Sequence, residues 1–124
     1  MKIDLLVNFS VVSKDDVQKT TELFSEFLVD NEIVEMAFTH ARDKVVFTNK
    51  RIICYDVQGF TGSKKEFRFF PYSKIASFSV ETAGFFDGDS DFKIWVSGVG
   101  VFGIKFGKQL NIKEVGAYLS KKII

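Results

Sequence analysis

Several groups of side chains in this 124-residue sequence have types and spacings that could do chemistry. Gly98, Gly100 and Gly103 spell G-x-G-x-x-G, the pattern that lets a pyrophosphate approach the N-terminus of a helix following a strand. The glycines here lead instead into the strand-like run Val101-Phe102-Gly103-Ile104-Lys105-Phe106. No βαβ unit fits, so a glycine-rich hairpin with tight backbone packing is the expected structure. Asp87, Asp89 and Asp91 imitate the first three ligands of a calcium loop, but Phe92 occupies the place of the turn glycine and Gly98 that of the bidentate glutamate. An acidic hairpin turn built on Asp87-Gly88 is expected instead.

Nucleophilic chemistry is no better supplied. Cys54 lies among Ile52, Ile53 and Tyr55, where a buried and inert thiol is expected. His40, the single histidine, stands beside Arg42 and Asp43 and reads as a solvated turn residue rather than a base. No catalytic residue, metal ligand or cofactor is assigned, and the protein is not expected to be an enzyme. The remaining group is basic: Lys64, Lys65 and Arg68 beside the glycine-containing turn 59–63. In a strand Lys64 and Arg68 share a face and could hold a phosphate or carboxylate between them. Glu66 lies on that face too, and an edge strand protected by lysines is the competing reading.

The composition limits the partners. With 46% hydrophobic and 27% charged residues, the chain is globular and of the usual single-domain size, so one domain over 1–124 is expected. A single cysteine and a single histidine leave no disulfide framework or Cys/His metal cluster and point to a reducing, cytoplasmic setting. Asp4 and Asn8 interrupt the apolar start, so an export signal is not expected. No apolar run approaches the roughly 18 residues of a membrane helix, and no membrane residence is expected. Seventeen basic against sixteen acidic residues, a net charge of +1, give no electrostatic case for nucleic acid.

Helical periodicity is confined to the two ends. After Ser13, a candidate N-cap with Asp15 and Asp16 in the first turn, Val17, Thr20, Thr21, Phe24 and Leu28 recur at helical spacing. That predicts a helix over about 14–29. Asn111 precedes Ile112, Val115, Tyr118 and Leu119 on one face, predicting a closing helix over about 111–122. Between them, over about 31–107, β-branched and aromatic runs separated by turn signals predict an all-β barrel or sandwich. Seven strands are placed near 33–39, 44–48, 51–56, 65–70, 75–82, 91–97 and 101–106.

Several of these strands are apolar on both faces. Val45-Val46-Phe47, Ile52-Ile53-Cys54-Tyr55, Phe69-Phe70 and Phe85-Phe86 put large apolar side chains at adjacent positions, which point to opposite sides of a strand. One side meets the core. Two modest helices cover only part of the other, and fifteen phenylalanines enlarge the excess. A homo-oligomer is therefore expected, with Phe69, Phe70, Phe85 and Phe86 as candidate interface residues. The competing arrangement folds Phe85 and Phe86 inward over a barrel end.

Four runs taken in order resemble the bacterial pleckstrin-homology (PH) domain family. They are Val46-Phe47-Thr48-Asn49-Lys50-Arg51-Ile52-Ile53, Pro71-Tyr72-Ser73-Lys74-Ile75, Ser79-Val80-Glu81-Thr82-Ala83-Gly84 and Phe92-Lys93-Ile94-Trp95. The resemblance extends from about Asn31 to the closing helix. It implies a mainly β, PH-like fold: a seven-stranded, partly open barrel capped by the C-terminal α-helix, with the N-terminal helix as an addition. It further implies a cyclic homo-oligomer, with a pentamer expected for a single-domain member, and a non-enzymatic role in protein–protein interaction with a partner the sequence does not identify. The basic lipid-binding pattern of eukaryotic relatives is missing from Thr39-His40-Ala41-Arg42-Asp43-Lys44, where an aspartate intervenes and the preceding strand has no lysine. An anion or membrane-surface module acting through Lys64, Lys65 and Arg68 is the alternative reading.

Overall fold

A computed structural model describes residues 9–84 and 88–124. The chain divides into two compact units, one of residues Ser13–Pro71 and one of Met1–Val12 with Tyr72–Ile124.

In the Ser13–Pro71 unit, five strands pair in the order β2-β3-β4-β5-β6. They are β2 (Ser13–Lys14), β3 (Val34–His40), β4 (Asp43–Thr48), β5 (Arg51–Gln58) and β6 (Lys64–Pro71). The β3-to-β6 meander is antiparallel, with Val46 opposite Ile53 and Ile53 opposite Phe69. Helix α1 (Val17–Leu23) lies between β2 and β3 in the chain. It is shorter than the predicted 14–29, and its cap is Asp16 rather than Ser13. The cause is a competing ladder: Ser13 pairs with Thr39, and the Asp15 N–H donates to the Ala37 carbonyl at 2.8 Å. Asp16 is the first residue free to cap, and its carboxylate accepts from the Lys19 N–H at 2.8 Å. Beyond Leu23 the helical spacing continues only as turns, closed by Phe27 and Leu28 N–H groups donating to the Phe24 carbonyl.

Those turns explain the two-faced strands of this unit. Phe24 is fully buried in a cluster with Val34, Ala37, Val46, Ile53 and Tyr55, against which Leu28, Val57, Phe67 and Phe69 pack. Phe24 meets Tyr55 and Phe67 edge-on at 5.6 and 5.7 Å, and Phe27 lies 4.6 Å from Phe67. The chain's own N-terminal segment thus covers one face of β4 to β6. Val45, Phe47, Ile52 and Cys54, on the opposite face, are buried as well. The pattern that suggested a second subunit is satisfied on this sheet face by a segment whose covering power lies in its turns as well as its helix.

In the other unit, four strands run in the order β1-β9-β8-β7. They are β1 (Phe9–Val11), β7 (Ile75–Glu81), β8 (Ser90–Val96) and β9 (Gly100–Phe106); a 3-10 turn, Tyr72–Lys74, leads into β7. β1 is parallel to β9 and the rest are antiparallel. The seven predicted strands correspond to β3 through β9, within a residue or two at each end. β1 and β2, of three and two residues, carry too little alternation to be predicted. Helix α2 (Ile112–Ser120) begins as expected at Asn111, whose side chain accepts from the Lys113 N–H at 3.1 Å. It buries Ile112, Val115, Gly116 and Leu119. A Cβ at Gly116 would sit 3.2 Å from Val80 Cγ2, so the missing side chain sets how closely α2 approaches β7. Strand pairing gives two sheets rather than one closed ring, as the partly open architecture implies.

Candidate functional site

The groups with chemical potential fall at separate places in the fold. Gly98 lies in the β8–β9 turn with φ of 77°, Gly100 opens β9 with φ of 154°, and Gly103 lies within β9. The glycines serve a hairpin, not a helix N-terminus. Asp91 pairs with Lys105 at 3.1 Å across the β8–β9 ladder. Among the described residues no cluster of three His, Cys, Asp or Glu side chains is arranged to hold a metal ion. Cys54 is 1% exposed, and burial pushes its thiol up to about 12, so no thiolate forms near neutrality. His40 ends β3 on the exposed surface, in register with Asp43.

The basic group does not converge. Lys64, Glu66, Arg68 and Phe70 alternate onto one face of β6, and Lys65 falls on the other with Phe67 and Phe69. The Arg68 guanidinium lies 5.9 Å from the Phe70 ring, drawn toward the strand's apolar end. Phe70 is buried; Phe69 is half-buried, 5.5 Å from Phe27 and beneath the Arg51 guanidinium at 4.8 Å. Both are therefore engaged within the chain. Phe85 and Phe86, with Asp87, lie outside the described residues.

Two arrangements escaped the sequence reading. The first is a buried ion pair whose members are nineteen positions apart, too far for any periodicity to reveal. The Glu32 side chain is fully buried and accepts from Arg51 Nε at 2.8 Å, Arg51 Nη2 at 3.0 Å, the Thr48 hydroxyl at 2.8 Å and the Val29 N–H at 3.1 Å. Arg51 Nη2 also donates to the Phe27 carbonyl at 2.7 Å. Burial opposes ionisation, but these hydrogen bonds outweigh it and hold the Glu32 carboxyl below the usual range. Asn49 adds contacts to Asn31 and Ile33 from the same β4–β5 turn. The network ties the aromatic-bearing segment to the hairpin, and its satisfied hydrogen bonds make it structural. A second tie joins Asp15 to Lys44, and despite partial burial that pairing holds the Asp15 carboxyl down too.

The second arrangement is at the tips of the β3–β4 and β5–β6 hairpins. Gly59 and Gly62 hold positive φ angles of 79° and 71°, and between them Phe60 projects with its ring fully exposed. Arg42, from the other tip, donates through Nη2 to the Gly59 carbonyl at 3.2 Å. A Cβ at Gly62 would stand 2.7 Å from Arg42 Nη1, so a side chain there would push the guanidinium aside, and the φ of 71° favours glycine in any case. Asp43 turns back to accept the Val57 N–H at 2.9 Å, and Asp56 accepts from Gln58 at 3.1 Å. A lone aromatic between two turn glycines, followed by Ser63-Lys64-Lys65, was the legible signal.

Comparison with known proteins agrees with this fold. A family model described as the bacterial PH domain matches residues 2–123. The uncharacterized protein YjqA of Bacillus subtilis is 45% identical over 118 residues, which cover 94% of this chain and 92% of that protein. A DUF1696-family protein with a pleckstrin-homology domain from Shewanella loihica superposes with a TM-score of 0.84 at 32% identity, covering 90% of this chain and 97% of that one. A pleckstrin-homology domain from Shewanella amazonensis gives 0.75 at 34% identity, covering 90% and 91%.

Proposed function

The chain belongs to the bacterial PH domain family, and from that premise we propose that it is a non-catalytic cytoplasmic domain that assembles with copies of itself into a cyclic homo-oligomer and mediates protein–protein interaction. What supports the reading is the outer edge of β7. This strand is terminal in its sheet among the described residues, and its sequence Ile75-Ala76-Ser77-Phe78-Ser79-Val80 carries no charge before Glu81. Soluble proteins guard open edges with lysine, proline or inward charges. β6, terminal in the other sheet, is guarded in that way by Lys64, Lys65, Glu66, Arg68 and Pro71. The edge of β7 has the irregular register between Ile75 and Ser77 and no charge until Glu81. Beside its first residues lies an open groove of about 360 Å³ lined by Ser73, Lys74, Ile75, Ala76, Val96, Ser97 and Val99, with Val99 exposed.

The occupant we assign is a second copy. β1, at the opposite end of the same sheet, is also terminal among the described residues and is uncharged. Pairing β7 of one copy with the β1 end of the next is a head-to-tail contact, the type that closes into a ring. Backbone hydrogen bonds supply the affinity in such strand addition, and side chains in flanking pockets supply the selection.

Light scattering after size-exclusion chromatography is the test. The wild-type chain is expected to elute as a closed oligomer at micromolar concentration, and Ser77→Lys, at an exposed edge position, is expected to elute as a folded monomer whose melting no longer depends on protein concentration. A monomeric wild type overturns assembly. An oligomer indifferent to Ser77→Lys overturns the β7 edge as its basis.

A further inference from the structure

We propose that the hollow over Gly103, on the outer face of β8 and β9, binds a carboxylate group, with Lys93 and Lys105 supplying the positive charge. This site is distinct from the β7 edge and does not depend on assembly.

The observation that demands an explanation is Gly103 itself. β9 is an inner strand, between β1 and β8, and a glycine in the middle of such a strand weakens it, because it loses more backbone freedom than other residues and has no side chain to pack. Nothing in the chain requires it. Gly103 does not hold a positive φ, and a Cβ there would meet nothing closer than Lys93 Cγ at 3.8 Å and the Phe92 carbonyl at 3.9 Å, both ordinary contacts. At Gly107 and Gly116, by contrast, a Cβ would crowd Val12 at 3.1 Å and Val80 at 3.2 Å. The tight packing expected of the glycine-rich hairpin is therefore missing at Gly103. In its place is a hollow of about 50 Å³ lined by Asp91, Lys93, Val101 and Lys105. A strand glycine that its own fold does not use marks a point where a ligand comes close to the backbone.

The charges lining the hollow choose the ligand. Strand alternation puts Asp91, Lys93, Val101 and Lys105 on the face of the missing Cβ, with Lys93 directly opposite Gly103 and Asp91 opposite Lys105. Asp91 and Lys105 already pair at 3.1 Å. Lys93 is half-buried, and its ammonium has no partner among the described residues. Glu81, opposite Asp91 on β7, shares this face but does not line the hollow. Two ammonium groups and one carboxylate leave a single positive charge, which one bound carboxylate neutralises; a phosphate dianion would leave a negative charge facing Asp91. Val101, 5% exposed, gives an apolar wall to the carbon that bears the carboxylate. A hollow of this size has room for a few waters, hence for a carboxylate and its neighbouring carbons and not for a cofactor. A small free acid and the acidic side chain of a partner protein present the same group.

Trp95, the single tryptophan, stands opposite Val101 on the same face and reports on the hollow. Titration of the full chain with sodium acetate at constant ionic strength is expected to change its emission saturably, with a dissociation constant on the order of 1 mM, in keeping with a ligand of so few atoms. Acetamide and chloride are expected to leave the emission unchanged. Lys93→Met keeps the stem, removes the charge and is expected to weaken acetate about tenfold. Gly103→Ala separates a ligand site from a structural one: its methyl has room, so the melting temperature should hold or rise while acetate binding falls about tenfold or more. Thermal melts confirm that both variants fold. The blocked peptide acetyl-Ala-Glu-Ala-amide then identifies the source: binding tighter than acetate assigns the carboxylate to a partner's side chain, and weaker binding assigns it to a small free acid. No saturable change in acetate up to about 50 mM, an equal response to acetamide, or binding unchanged in Lys93→Met each overturns the proposal. Inorganic phosphate bound more tightly than acetate overturns the charge match. Gly103→Ala binding acetate as the wild type does overturns the hollow as the site, whatever its melting temperature.

Discussion

The two edge strands β6 and β7 solve the same problem in opposite ways. β6 ends its sheet with alternating charges and a terminal proline, and its apolar side chains Phe67 and Phe69 are covered by Phe27 from the N-terminal segment. β7 ends its sheet with residues that carry no charge before Glu81, and α2 packs close to it through Gly116. Apolar residues were the conspicuous feature of the sequence, yet those on β6 are engaged within the chain. β7, like β6, is terminal in its sheet among the described residues. Phe67 and Phe69 show that apolar residues on a strand can be met by a covering segment elsewhere in the chain.

The covering segment is where this contrast is most easily broken. Phe24 is fully buried at the centre of the aromatic cluster, so Phe24→Ala is expected to cost about 3 to 5 kcal/mol, read as a lower urea midpoint. The loss should be the same at every pH where the protein folds, because no ionisable group is removed. If Phe24→Ala instead costs less than about 1 kcal/mol, the segment is an ornament and the apolar face of β4 to β6 needs another cover.

Removing the ion pair sharpens the same point. Glu32→Gln leaves Arg51 without its anion, and a loss of about 3 kcal/mol is expected at neutral pH. The Glu32 carboxyl is held below its ordinary value of 4.5, so its contribution is fully present above that value. It is lost as the pH falls through the lower folded value, where the native carboxylate takes up its proton. Denaturation of wild type and Glu32→Gln across an acid series should therefore show the gap closing below about pH 4, whereas the gap for Phe24→Ala stays open. A gap that persists into acid means that the variant fails through packing rather than charge.

How much of this was legible depended on the range of the signal. Alternation and turn residues revealed β3 to β9, because each strand is long enough to carry its own period. Asn111 before Ile112, Val115 and Leu119 revealed α2 for the same reason. The start of α1 was misplaced because Ser13 had a second role, pairing with Thr39, that no local rule exposes. Glu32 and Arg51 meet through tertiary structure alone. The basic trio Lys64, Lys65 and Arg68 was legible as composition, but strand alternation separates Lys65 from the other two. Phe60, between the turn glycines Gly59 and Gly62, is legible in type and spacing, but its full exposure follows from the loop's backbone conformation, which no local pattern states.

The smallest expected effect lies on the β7 side. Gly116→Ala gains about 1 kcal/mol of helix propensity but places its methyl 3.2 Å from Val80 Cγ2. Val80 is half-buried and can shift by a few tenths of an ångström, so the two effects should nearly cancel, with a net change within about 1 kcal/mol. Val80→Ala in the same chain removes the crowding. The double variant should then be more stable than the sum of its single changes predicts, by at least about 0.5 kcal/mol in urea denaturation. Strict additivity would mean that Gly116 does not set the approach of α2. The placement of β7 would then rest on its pairing with β8, and the edge it offers would be fixed from one side only.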